Sequence, residues 1–275
     1  MKNDKHTKQE TFVHIHQTEE SGHAIGINHL GKAFSWSIRE KGPSNEFGQL
    51  GRGPTMGNSK ILLSTPLPVI IKDDSIEDKD DATPNDSFKN VRFLRGYTGG
   101  SNESGHSALL DISRRHLFIC GCDRWQQLGL GSPHGGAVGY TWKGGKLWQT
   151  EFHRNEFVDY ILENEHQTIR DVALGGDHTV IVTEEKRDVY TFGRGGNGQL
   201  GGVGKPFVSA PMRSKSLSSR HVASVCAVKD CTLTLDKNGN TLKKAGHCRM
   251  KDIQKGIELC IQRAKEDGLI NLKSI

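Results

Sequence analysis

Gly176-Asp177-His178-Thr179-Val180-Ile181-Val182, then Asp188-Val189-Tyr190-Thr191-Phe192-Gly193, then Gly196-Asn197-Gly198-Gln199-Leu200-Gly201-Gly202-Val203-Gly204: this stretch decides the fold, because the chain repeats its plan. A short apolar run led by histidine meets a polar turn, a second apolar run returns, and a glycine-rich Gln-Leu-Gly tail follows. The two runs read as the strands of a hairpin. The tail needs glycine for tight reversal and uses its leucine as an apolar plug.

Working outward, the same plan runs from Gly105-His106-Ser107 through Leu117-Phe118-Ile119-Cys120-Gly121 to DRWQQLGLG, ending at Gly131. It runs again from Gly22-His23-Ala24 through Ala33-Phe34-Ser35-Trp36 to NEFGQLGRG, ending at Gly53. His106 to Gln127 and His178 to Gln199 are both 21 residues, whereas His23 to Gln49 is 26, placing a five-residue insertion near Arg39–Ser44. A partial fourth copy, 222–246, carries Cys231 in place of the histidine and never reaches a Gln-Leu-Gly. A hairpin with two apolar faces cannot bury both alone, so the copies must stack. Histidines that recur once per copy suit a repeated structural hydrogen bond better than a catalytic role, which needs one.

These units, near 22–53, 105–131, 175–204 and 222–246, resemble the regulator of chromosome condensation repeat family. The resemblance rests on the Gly-x-His strand, the returning strand and the Gly-Gln-Leu-Gly tail, and covers roughly residues 20–246. It implies an all-β fold, a β-propeller of four-stranded blades, seven in the family's usual form. The histidines lie 83 and 72 residues apart, wider than a unit on the order of 50 residues. The extra length falls in 54–90 and 133–167, as degenerate strands or as rim loops. An open arc, a shorter ring and a fragment are the alternatives to a full ring.

Composition agrees. Glycine accounts for 33 of 275 residues, about 12% against a usual value of about 7%, which points to many turns. Charge is segregated: seven acids face two lysines over 72–86, and fourteen basic residues face six acids from 205 onward. The first reads as a solvated loop without fixed structure. The second is a soluble surface that only weakly suggests nucleic acid or chromatin. No window holds the roughly 20 apolar residues of a membrane helix, and residues 1–11 read as a disordered tail without the apolar core of a secretory signal. The expected setting is intracellular, cytoplasmic or nuclear and not secreted, with the six cysteines reduced.

Outside the repeats, Ile61–Ile71 holds one further strand. Residues 247–275 form a C-terminal segment in which Ile253, Ile257 and Ile261 make one stripe of an amphipathic helix from Met250 to Asp267, stopped near Gly268 and docked on the protein's own surface. Trp142, Trp148, Phe152 and Phe157 cluster on the second insertion. They are the candidate partner-binding residues, since large rigid rings anchor interfaces; sealing an adjoining blade is the alternative.

Chemical motifs are few. Gly193-Arg194-Gly195-Gly196-Asn197-Gly198 spells a dinucleotide fingerprint, but no helix can follow it in QLGGVGKP. Gly26–Ala33 falls one residue short of a phosphate loop and ends on alanine where a hydroxyl is required. Cys120-Gly121-Cys122 and His247-Cys248 lack zinc spacing. No catalytic, cofactor or metal residue is expected, and the reading is not an enzyme. The resemblance implies a non-catalytic interaction scaffold with protein partners, a small GTPase among them, and guanine-nucleotide exchange on such a GTPase is the narrower alternative. Light sensing, known in the same fold, requires a tryptophan cluster that the four dispersed tryptophans do not make.

Overall fold

The computed structural model describes residues 11–18, 20, 22–39, 45, 48–53, 63–72, 90–101, 104–131 and 148–271. Blade 1 is the antiparallel sheet β1 (Phe12–Thr18), β2 (His23–Asn28), β3 (Ala33–Ser37) and β4 (Leu67–Pro68). Blade 2 is β5 (Phe93–Ser101), β6 (Ser104–Asp111), β7 (Leu117–Cys122) and β8 (Trp148–Arg154). Helix α1 (Glu156–Asn164) leads to blade 3, which is β9 (Ile169–Leu174), β10 (His178–Thr183), β11 (Val189–Arg194) and β12 (Phe207–Arg213). Blade 4 has three strands, β13 (Ser224–Val228), β14 (Cys231–Leu235) and β15 (Thr241–Gly246), and the chain then enters helix α2 (Met250–Glu266).

The repeated hairpin is therefore the middle of each blade, β2–β3, β6–β7, β10–β11 and β14–β15. The strand before it is innermost, and β1, β5, β9 and β13 pack successively on one another. The long spacers supply the outer strand, so the insertions carry degenerate strands. Ile61–Ile71 contributes the two-residue β4 and a bridge from Ile71 to Phe152. Residues 133–167 contribute β8 and α1. The tail at 1–10, the insertion around 40–44 and the acidic stretch 73–89 lie outside the described residues.

Two repeated devices hold blade to blade. The first is the tail leucine: Leu50, Leu128 and Leu200 are buried, and the glycine after each lets a neighbouring side chain close over the turn, a ring in blades 1 and 2 and Leu217 in blade 3. A Cβ on Gly51 would lie 2.3 Å from Phe152, and one on Gly129 would lie 2.5 Å from Phe192. The second is a hydrogen-bond relay. His23 Nε2 meets Ser107 Oγ of the next blade at 2.7 Å, His178 Nε2 meets Thr232 Oγ1 at 2.8 Å, and His106 Nε2 lies 3.4 Å from Thr179 Oγ1. Each hydroxyl in turn donates to the main-chain oxygen of the preceding blade's tail glutamine, Gln49, Gln127 or Gln199, at 2.7 Å. A hydroxyl has one proton, and the carbonyl takes it, so the imidazole must donate through Nε2–H. Burial pushes His106 and His178 down to about 3, keeping both rings neutral. The histidines are thus inter-blade ties, as their recurrence suggests. At the ends of the described array the relay is not continued: blade 1 has Ala24 in the hydroxyl position, and blade 4 has Cys231 in the histidine position.

The cysteines depart from the sequence expectation. Cys226 is bonded to Cys260 and Cys231 to Cys248, leaving Cys120 and Cys122 as buried thiols. Sequence spacing is silent on pairing because the partners lie 34 and 17 residues apart, and only the fold brings β13 against α2 and β14 against the segment before it. Both bonds fasten the C-terminal segment to blade 4.

Candidate functional site

Helix α2 lies across the inner strands. Ile253 and Ile257 pack on Cys226, Cys231 and Leu233, and the helix ends at Asp267 with Gly268 in a left-handed conformation (φ +68°). Its C-terminal half meets a polar cluster contributed by the other blades. Arg263 clamps Asp171 of β9 through both nitrogens, at 2.5 and 2.9 Å, and its guanidinium sits 5.5 Å above the Tyr97 ring of β5. Burial works against the Asp171 charge, but Arg263, Ser224 Oγ and Val225 N together hold its carboxyl below the usual range. Burial also disfavours the Arg263 charge, and Asp171 outweighs it, raising the guanidinium further. Asp267 pairs with Arg95 at 3.2 Å and faces His14 of β1 at 3.6 Å.

Between α2 and β1, β5, β9 and β13 lies a cavity of about 380 Å³, lined in part by His14, His16, Tyr97 and Arg263. Burial depresses both histidines, most strongly His16, which accepts the Thr98 amide proton at Nδ1 (3.0 Å). His14 Nε2 bonds Gly96 O at 2.9 Å. The cluster consumes its charges internally, so its chemistry is that of a fastener holding the helix against four strands. Nothing in the repeat periodicity marks Asp171 or Arg263. The one legible signal is a carboxylate inside the apolar strand IRDVAL, which demands a buried partner.

The predicted aromatic cluster separates. Phe152 is fully buried between blades 1 and 2, against Gly51 and Cys120, and this corrects its place in the patch: a β8 side chain facing inward seals the blade. Trp142 lies outside the described residues. Trp148, at the start of β8, is 43% exposed, and Phe157, in the first turn of α1, is 45% exposed. Asn155 caps that helix by accepting from Val158 N at 3.0 Å, and donates to Leu128 O at 2.9 Å, so the blade 2 tail fixes the pose of Phe157. Phe157 covers Gly131, whose amide donates to Ser209 O of β12 at 2.9 Å. One turn along α1, Tyr160 is 69% exposed, and on β12 Phe207 is 50% exposed; neither is marked by the sequence pattern.

Among the described residues no group of three or more His, Cys, Asp or Glu is placed to hold a metal ion. The dinucleotide-like glycines run from β11 into a turn, and the phosphate-loop-like stretch is the β2–β3 hairpin. No described helix is long and apolar enough to cross a membrane.

Successive antiparallel blades joined by inner-strand contacts define a β-propeller repeat protein. Residues 169–199 and 188–235, that is, blade 3 and its junction with blade 4, match sequence profiles of the Regulator of chromosome condensation (RCC1) repeat. No curated protein matches the chain. Among solved structures, human WBSCR16 is similar at 20% identity with a TM-score of 0.56, over 88% of this chain and 50% of that one. Prp20p from Saccharomyces cerevisiae is similar at 18% identity and a TM-score of 0.53, over 85% of this chain and 45% of that one. The yeast protein in a structure with Kap60 gives 18% and 0.55, over 87% and 44%. The chain spans about half the length of these structures.

Proposed function

We propose that the chain is a non-catalytic protein-interaction scaffold whose partner docks on the outer surface where blade 2 meets blade 3. The observation that carries this reading is the exposed aromatic group of Phe157 and Tyr160 on α1, beside the β12 strand that holds Phe207. Such rings lose little entropy on docking and are held here by a capped helix instead of a free loop. Deleting 133–166 would remove β8 and α1 and so break blade 2. The clean test is the full chain carrying Phe157→Ser and Tyr160→Ser. A partner recovered by the wild type and binding it directly in purified form should bind this variant at least tenfold more weakly. Equal binding at unchanged thermal stability would refute the assignment.

The narrower reading, guanine-nucleotide exchange on a small GTPase, rests on the family resemblance and on the likeness to Prp20p, whose structure was described with its binding to Gsp1p and histones. It predicts faster release of a labelled guanine nucleotide from a small GTPase at substoichiometric amounts of this chain. No acceleration across the small GTPases of the source organism would remove it.

A further inference from the structure

Each of the four middle hairpins contains one turn residue in the left-handed region. In blades 1 and 4 that residue is glycine, Gly31 (φ +77°) and Gly239 (φ +81°), the residue that adopts it without strain. In blades 2 and 3 it is arginine, Arg114 and Arg187, both at φ +60°. A non-glycine residue held there is disfavoured on its own account, and such outliers cluster where a side chain is needed at that point.

Both arginines reach the same place. Arg187 Nη2 contacts Glu184 at 3.0 Å and Arg114 Nη1 contacts it at 3.5 Å, while Arg170 holds it from β9 at 2.8 Å. One carboxylate is thus shared by three guanidiniums. Beside it, between blades 3 and 4, opens a pocket of about 360 Å³ lined by Arg170, Arg187, Arg220, His221 and Lys237. The lining carboxylate, Asp236, is committed to its own turn, accepting from Asn238 N, Asn240 N and Asn240 Nδ2 at 2.8–3.0 Å. Four full cations against Asp236 and Glu184 leave an excess of two positive charges. Burial, and then the neighbouring Arg170, push the Arg187 guanidinium below its usual value, against the pull of Glu184 and Glu185.

We propose that this pocket binds a phosphoryl dianion. Arg170 is held by Ala223 O, Glu184 and Leu269 O, whereas Arg187 and Arg220 line the same space with Lys237, and planar guanidiniums with a charge excess of two match the charge that a phosphate requires. The volume exceeds that of a bare phosphate, so the group enters attached to a carrier. It is a discrete pocket at one blade junction, unlike a groove that tracks a polymer backbone.

The test uses the full chain and three probes, inorganic phosphate, pyrophosphate and O-phosphoserine, by calorimetry and thermal shift. Wild type should bind at least one at submillimolar concentration in low salt. R187G restores glycine at the left-handed position, so its unliganded Tm should equal or exceed that of wild type, while probe affinity falls at least tenfold. R187G with R220A should abolish binding, and K205A, on the loop before β12 and not among the residues that line the pocket, should leave it unchanged. Tighter binding of O-phosphoserine indicates a phosphorylated protein as the source, and tighter binding of pyrophosphate a free phosphate compound; both orders support the site. No binding by wild type, or binding that survives the double variant, overturns the proposal. A marked fall in the Tm of R187G would overturn it too, since Arg187 would then owe its place to the fold.

Discussion

Replacing Thr232 by valine keeps the shape of the side chain and deletes one hydroxyl from the tie between blades 3 and 4. That hydroxyl accepts from His178 Nε2 at 2.8 Å and donates to Gln199 O at 2.7 Å. His178, Thr232 and Gln199 are all fully buried, so no solvent replaces the lost partner. Two polar groups are stranded, each at about 1–3 kcal/mol, and partial relaxation brings the expected loss to about 3 kcal/mol. This is a large share of the roughly 5–15 kcal/mol that keeps a domain folded. The assay is equilibrium urea unfolding followed by far-UV circular dichroism, with Thr232→Val, His178→Phe and the double variant compared. Because the imidazole and the hydroxyl share one bond, the double variant should lose at least about 1 kcal/mol less than the sum of the singles. A Thr232→Val loss below about 0.5 kcal/mol, or strict additivity, would refute the relay.

Two further outcomes follow from the geometry. Cys260→Ser opens the bond that ties α2 to β13 across 34 residues, and by loop entropy the change should destabilise the chain by about 2–4 kcal/mol. It should speed amide exchange along α2, and a reductant should reproduce the effect in wild type; unchanged protection in both would refute the fastening role. Asp123, whose Oδ1 accepts from Leu128 N at 2.9 Å, is pushed up to about 7 by burial, only partly offset by that amide. Its folded pKa lies above its unfolded value, so wild type retains a proton that the unfolded chain loses, and stability falls as pH rises from about 4 to 7. Asp123→Asn copies blade 1, where Asn45 Oδ1 accepts from Leu50 N at 3.0 Å. The variant should match wild type near pH 4 and exceed it at pH 8 by at least about 1 kcal/mol, with about 4 kcal/mol as the ceiling. Equal stability at both pH values would sink the assignment.

The repeat was legible because each unit solves the same local problem at a fixed spacing. A histidine needs a donor's partner, a leucine needs a cover, and a tail glycine needs the room that a Cβ would fill. Hence the strands around His23, His106 and His178, the plugs Leu50, Leu128 and Leu200, and the helix ending at Gly268 could be read directly from residue type and position. Of the outer strands, the apolar run Ile61–Ile71 pointed to β4, whereas β8 was not legible, because an edge strand buries little and leaves no apolar alternation to read. What joined residues far apart in the chain was decided by tertiary structure alone. Blade stacking places Asp171 under Arg263, Cys226 beside Cys260, and the arginines of two different turns on Glu184. These are pairings of charge and sulfur, which follow distance in space and have no period in sequence.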